Sequence, residues 1–132
     1  MLFRSLSSMV LDDQAMENPP LSETEIANLR VISAGPTSLR PADILSSKRM
    51  EQVIETLVSQ SDIVIFDAPP VLVATDASLL ASKVDACLLV VSSRKTKRDQ
   101  VQRAVDQLKK ARANLLGSVL CNTVEEKTVS NY

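Results

Sequence analysis

The sequence contains no histidine and no tryptophan, and its only glycines are Gly35 and Gly117. The lack of histidine excludes a His-activated nucleophile and an ordinary zinc site. So few glycines cannot form a Gly-x-x-x-x-Gly-Lys-Ser/Thr loop, whose backbone N–H groups would cradle phosphates. Cys87 and Cys121 lie inside apolar runs, so we expect buried, reduced thiols rather than a disulfide or a metal pair.

Charge and hydropathy narrow the class of protein further. The 15 Lys and Arg residues nearly balance the 16 Asp and Glu residues, so no overall field attracts nucleic acid or acidic lipid. No apolar run approaches the roughly 18 residues of a membrane span, and the first residues lack a signal-peptide core. With 132 residues, 45% of them hydrophobic, we expect one cytoplasmic globular domain with an aliphatic core.

Apolar runs alternate along the chain with segments of helical periodicity. This order predicts an α/β fold, a parallel sheet with flanking helices. A weakly patterned lead segment, 1–28, is expected to form a short helical turn and a loop. It precedes the domain, 29–122, and a polar tail, 123–132. The strands are expected near 29–33, 62–67, 86–91 and 116–121, and the helices near 42–59, 76–83 and 97–112.

Local signals mark where the three helices begin. Pro41 suits the first turn of a helix because its missing N–H needs no partner there. Asp76 is a plausible N-cap for the second helix. Thr96 and Asp99 approximate a capping box before the third.

Asp67 is the sharpest candidate for chemistry because it directly follows the apolar run Ile63–Phe66. If this run is a buried strand, the carboxylate needs a partner, since an unpaired buried charge is costly. One hypothesis is a Mg²⁺ ion shared with nucleotide phosphates. The alternative is that the carboxylate accepts hydrogen bonds from backbone N–H groups of the loop that follows, which contains the Pro-Pro pair.

Two further polar segments follow strands at the edge where parallel sheets bind ligands. They are the loop 92–96 and the pair Cys121–Asn122. The basic residues between Arg94 and Arg98 could contact phosphate or an acidic tail of a partner. Such a run is more typical of a solvated first turn of a helix.

Several of these segments together resemble the bacterial tyrosine autokinases of exopolysaccharide and capsule synthesis. This family is a branch of the P-loop ATPases related to MinD and ParA. The resemblance covers about residues 27 to 120. It rests on the segments Val31–Pro36, Ile44–Met50, Asp62–Pro70, Thr75–Ala77 and Val84–Val91.

The resemblance implies ATP and Mg²⁺ as cofactors and phosphoryl transfer to tyrosine as the activity of the intact family. Asp67 matches the Walker B aspartate and would be the catalytic and metal-binding residue. Asn122 falls one position beyond a strand-end Asn that contacts adenine in related ATPases. Tyr132, the one tyrosine, would be the phosphoacceptor. Asp76 matches a second acidic position, for which we prefer the capping role.

The sequence also departs from the family pattern. It lacks the Walker A loop and the strand that ends in Asp-x-Asp. Ala68 stands where Thr or Ser is common, and Arg40 replaces an Asn that would cap a helix. Ser92 and Arg94 replace an Arg and a Gly expected in their loop. We therefore expect an incomplete P-loop domain that resembles a protein-tyrosine kinase but is inactive alone and does not bind ATP.

The resemblance leaves alternatives for function and for the sheet. The chain could instead be a non-catalytic docking module for a full-length kinase, or part of a MinD/ParA-type partitioning ATPase. Expected partners are a homo-oligomer, a full-length kinase or its membrane activator, which would bring the chain to the inner face of the membrane. The family's Walker A strand lies between 63–67 and 86–91, so we expect either direct pairing of these strands or an open gap.

Overall fold

The computed structural model describes residues 5–36 and 40–123. The chain divides into two compact units, Met1–Ala68 and Pro69–Tyr132. The expected α/β class is confirmed, with a parallel strand pair and flanking helices. No helix in the described ranges is long and apolar enough to cross a membrane.

The first unit begins with two short helices where a single helical turn was expected, α1 (Leu6–Leu11) and α2 (Asp13–Glu17). Ser5 caps α1, and its buried backbone N–H donates to Ser8 Oγ at 2.9 Å. The backbone N–H of Leu6 donates to the Ser33 carbonyl at 2.8 Å. The lead segment is therefore part of the fold rather than a loose extension.

The predicted parallel strand at 29–33 is wrong. β1 (Ser22–Glu23) and β2 (Arg30–Val31) form a small antiparallel hairpin in which Ser22 lies opposite Val31. Thr24 Oγ1 donates to the Leu29 carbonyl at 2.9 Å, and Asn28 takes a left-handed φ of 65° that closes the turn. The apolar run at 29–33 therefore pairs with β1, an antiparallel strand close to it in sequence.

The helix predicted at 42–59 is two helices, α3 (Pro41–Ser46) and α4 (Lys48–Ser59). Ser47 separates them with ψ 152°, and its hydroxyl caps α4 by accepting from the Met50 N–H at 3.1 Å. Pro41 begins α3 as expected, and Arg40 makes no side-chain cap bond.

The core of the first unit lies where α4 packs against α1. Met9, Met50 and Val53 are completely buried there. Arg49 on α4 also forms an ion pair with Asp13 on α2. The apolar stripe predicted for this helix is thus the face that builds the core.

No strand forms at 62–67, although this was the most apolar run predicted in the first half of the chain. Ile63 is 79% exposed and Ile65 is 87% exposed. A strand needs a neighbour for its backbone N–H and C=O groups. Within the described residues this run has no strand partner, so direct pairing of 63–67 with 86–91, the first of the two expected alternatives, does not form.

The second unit holds α5 (Asp76–Ala81), β3 (Cys87–Ser92), α6 (Arg98–Lys110) and β4 (Leu115–Cys121). β3 and β4 pair in parallel, with Val90 opposite Val119, which confirms the strands predicted at 86–91 and 116–121. α6 provides the crossover between them and packs against α5. Cys87 and Cys121 are free thiols as expected, although half-buried, and burial raises the pKa of the Cys87 thiol.

Two of the predicted caps are wrong. Thr75 precedes α5 as its N-cap, without a side-chain bond, and Asp76 is the first helical residue. At α6 the N-cap is Lys97, whose N–H donates to Gln100 Oε1 at 2.8 Å, so Thr96 and Asp99 form no capping box. In both cases the helix begins one residue away from the position that the sequence signal favoured.

Candidate functional site at the ends of the strands

Asp67 lies near the end of the first unit, after the extended run 63–66, and it is exposed. The expected burial of this carboxylate is therefore wrong, because no strand forms to bury it. The described residues also contain no group of three or more His, Cys, Asp or Glu side chains that could hold a metal.

The second unit brings together two of the predicted polar segments at the carboxyl end of its strand pair. Asn122 Nδ2 donates to Ser92 Oγ at 3.1 Å, and Ser93 Oγ donates to the Asn122 carbonyl at 2.8 Å. The N–H of Ser93 also donates to the Cys121 carbonyl at 3.0 Å. Asn122 adopts a left-handed φ of 56°, which Asn tolerates better than most residues. These bonds hold the loop after β3 against the end of β4.

An open depression adjoins these bonds and is lined by Ser92, Arg94, Lys95, Asn122 and Thr123. The backbone turns tightly here, because Ser92 O accepts from the N–H groups of Lys95 at 3.2 Å and Thr96 at 3.0 Å. Arg94 and Lys95 are exposed, which agrees with a solvated basic run. Their charges and the neighbouring hydroxyl and amide groups suit an anionic or polar ligand better than an apolar one.

Sequence reasoning missed one residue that joins α6 to two other segments of the second unit. Gln107 Nε2, on α6, donates to the Val71 carbonyl at 2.8 Å and lies 3.1 Å from Ser78 Oγ on α5. It thereby fixes the segment that follows the Pro-Pro pair. A glutamine on a charged amphipathic helix reads as an ordinary surface residue, so no sequence signal distinguished it.

Comparison with known proteins finds homologues of one kind. No protein-family profile matches the sequence. Tyrosine-protein kinase YwqD of Bacillus subtilis is 36% identical over 115 residues, which cover 87% of this chain and 48% of the relative. Tyrosine-protein kinase CpsD of Streptococcus pneumoniae serotype 4 is 37% identical over 100 residues, or 76% of this chain and 44% of the relative. The homologues of this chain are bacterial tyrosine-protein kinases.

A solved structure agrees with this kinase homology. The BceF tyrosine kinase domain matches with a TM-score of 0.78 and 32% identity, over 89% of this chain and 48% of that domain. The resemblance predicted from the residues around Asp67 is confirmed. The chain spans about half the length of the kinases that it matches.

The residues of this chain do not fit a complete Mg·ATP site of a kinase. The sequence has no phosphate-binding loop, and the described residues hold no group of three or more His, Cys, Asp or Glu side chains that could bind the metal. Asn122 is already engaged with the Ser92 hydroxyl. Tyr132 lies outside the described residues.

Proposed function

We propose that this chain supplies one half of the nucleotide-binding domain of an ATP-dependent tyrosine autokinase that regulates exopolysaccharide or capsule polymerisation and export. The observation that carries the proposal is the homology to bacterial tyrosine kinases across Asp67 and the β3–β4 edge. The lack of a phosphate-binding loop supports a second part of the proposal, that the isolated chain neither binds nor hydrolyses ATP.

Within this proposal Asp67 acts as the Walker B carboxylate and helps to hold Mg²⁺ beside the nucleotide phosphates. Its exposure supports the role, because the carboxylate is free to reach an ion whose remaining ligands come from elsewhere. When bound, the metal would stabilise the charge that develops on the transferred phosphoryl group. The contribution of the chain itself is to position one carboxylate.

The polar edge of the second unit has a different role in the proposal. The bonded pair Ser92 and Asn122 forms one wall of the nucleotide site, and Arg94 and Lys95 make that wall electropositive. Asn122 is proposed as the residue nearest the base. Tyr132 is proposed as the phosphoacceptor. In the intact family, the phosphoacceptor reaches the active site of a neighbouring subunit. The partners are then other kinase subunits and a membrane activator.

The first experiment tests whether the isolated chain binds nucleotide. Isothermal titration calorimetry with Mg·ATP is expected to show no binding tighter than about 1 mM, because helix-and-loop N–H groups normally supply the phosphate affinity. Asp67→Asn and the matched control Asp62→Asn, an exposed Asp five positions earlier in the same segment, are titrated in parallel. Micromolar binding that Asp67→Asn abolishes and Asp62→Asn retains would contradict the second part of the proposal.

The second experiment tests the role within a complete kinase. The half of B. subtilis YwqD that aligns with this chain is replaced by the chain, and autophosphorylation is measured by phosphotyrosine blotting. Asp67→Asn is expected to lower the rate at least tenfold, roughly the effect of losing a metal-orienting group, and Asp62→Asn is expected to leave it unchanged. A chimera that is folded but inactive, or equally active with Asp67→Asn, would refute the assigned role.

The principal alternative is a non-catalytic module that docks on a full-length kinase. The same lack of a phosphate-binding loop favours it. It predicts that the folded chimera stays inactive while the chain alone still binds the kinase. Activity in the chimera that depends on Asp67 would exclude this alternative.

A further inference from the structure

Basic residues are concentrated in one segment of the second unit, although the chain is almost neutral overall. Residues 94–112 hold eight of the 15 Lys and Arg residues and only two Asp residues. The remainder of the chain carries seven basic and fourteen acidic residues. The small net charge therefore arises from two opposite local charges, and the field close to residues 94–112 is positive.

Helix α6 and the residues at its two ends carry most of this positive charge. Six exposed side chains form what we call the basic surface of α6, namely Lys97, Arg98, Arg103, Lys109, Lys110 and Arg112. Among the described residues they form one ion pair, from Arg103 to Asp99 at 3.5 Å. Ala104 and Leu108 are buried on the other side of the helix. The apolar side of α6 is thus used within the unit, and its charged side faces solvent.

The stability of the helix does not explain where these charges lie. Lys109 and Lys110 are in the last turn of α6, where cations interact favourably with the helix dipole. Lys97 and Arg98 are at its first positions, where the dipole disfavours cations. Positive charge at both ends of the helix is better explained by an anionic partner than by the needs of the helix.

The surroundings of α6 favour a flat partner over nucleic acid. Gln107 of α6 bonds to the Val71 carbonyl and to Ser78 of α5. These segments flank the helix on one side, so it does not project freely as a helix that enters a DNA groove does. No aromatic residue lies between 94 and 112, so the bases of a single strand would find nothing on which to stack. The 13 residues of α6 extend about 20 Å, enough to lie along a row of lipid headgroups.

We propose that the basic surface of α6 binds anionic phospholipid at the face of a membrane, with α6 lying along the headgroups. The binding is electrostatic, because none of the exposed large apolar side chains of the described residues belongs to α6. Each Lys or Arg held near such a surface adds about fivefold to the affinity. The inference does not depend on the proposed kinase function, and it leaves Arg94 and Lys95 to the depression beside Asn122.

The test is sedimentation of the full 132-residue chain with vesicles of phosphatidylglycerol, beside neutral vesicles of phosphatidylcholine. The chain is expected to sediment with the anionic vesicles only, and raising the salt from about 0.05 M to about 0.5 M should release it. Arg98→Gln combined with Lys109→Gln should weaken binding more than about tenfold. The matched control, Arg30→Gln combined with Lys48→Gln, removes the same net charge from exposed positions of the first unit. It should bind like the unsubstituted chain.

A charge-preserving variant separates the effect of charge from that of folding. Arg98→Lys combined with Lys109→Arg should bind as tightly as the unsubstituted chain, and circular dichroism verifies that each variant is folded. The proposal is overturned by a lack of binding to phosphatidylglycerol, by equal binding to both kinds of vesicle, or by equal weakening in the matched control. Tighter binding of duplex DNA than of vesicles at equal phosphate would also overturn it and assign the surface to nucleic acid. Phosphotyrosine in the kinase chimera is measured separately, so failure of the proposed function is distinguishable from failure of this inference.

Discussion

Helix α4 and the run that follows it, 62–67, were both predicted from their sequence patterns. The helix forms, and the strand predicted for the run does not. α4 forms as a helix and buries Met50 and Val53, whereas Ile63 and Ile65 are exposed in a segment that forms no strand. An α-helix pairs its backbone groups within itself, but a strand must find them on a neighbour. The comparison shows that α4 completes its backbone hydrogen bonds within itself, whereas the run 62–67 has no strand partner among the described residues.

The largest expected effect tests the helical side of this comparison. Val53→Asp should destabilise the chain by about 4 kcal/mol or more, because it buries a charge in the core between α4 and α1. Val58→Asp is the control, since Val58 lies on the same helix and is 51% exposed. Urea unfolding followed by circular dichroism measures both. Equal losses for the two variants would mean that α4 does not form the core described.

A smaller effect is expected at the contact between the lead segment and residue 35. Gly35 has a φ of 94°, and an added methyl group would overlap the buried Ser5 hydroxyl. Gly35→Ala should therefore cost about 2 kcal/mol through backbone strain and crowding. Gly117→Ala, where a methyl group meets no atom within 4 Å, should change stability by less than about 1 kcal/mol. Thermal unfolding that ranks Gly117→Ala as the more damaging would refute this packing.

Substitution of Gln107 tests whether hydrogen bonds fix the segment 71–78 within the second unit. Gln107→Leu removes the bonds to Val71 and Ser78, and should cost about 1 kcal/mol and speed hydrogen exchange over 71–78. Gln102→Leu removes an exposed bond to Asp106 on the same helix and should change stability by less than about 0.5 kcal/mol. Unchanged exchange in Gln107→Leu would show that apolar packing alone fixes this segment.

The smallest effect is expected where the strand fails to form. Ile65→Lys should change the unfolding free energy of the isolated chain by no more than about 0.5 kcal/mol, because the side chain is already 87% exposed. A loss of several kcal/mol in a urea melt would mean that the run is buried in solution. That result would contradict the difference in burial between this run and α4.

The fold was predictable wherever a segment could complete its contacts within this chain. The parallel pair 87–92 and 115–121 and the helix at 98–110 lie close to their expected places. The division of 42–59 was missed because Ser47 reads as an ordinary polar residue, although its hydroxyl caps α4. At 29–33 a short strand forms, but it pairs antiparallel with β1. The strand predicted at 62–67 was wrong, because periodicity describes a side-chain pattern and not the availability of a partner.

Individual residues of the candidate site were predictable from the sequence, but the contacts between them were not. The sequence pointed to Asn122 and to the loop at 92–96, and the structure joins them through the bond to Ser92. It also pointed to Asp67, but the inference of burial relied on a strand that does not form. The contact between Gln107 and Val71 joins residues far apart in sequence, and no local pattern encodes such a pair.

The exposed run Ile63–Phe66 has a consequence for colloidal behaviour. Short segments rich in β-branched and aromatic residues, without proline or charge, are the kind that stack between molecules into cross-β fibrils. Asp62 and Asp67 flank this run on both sides, and flanking charges of this kind act as gatekeepers, because stacked chains would align like charges. Like charges at both ends of the run therefore disfavour its stacking between molecules.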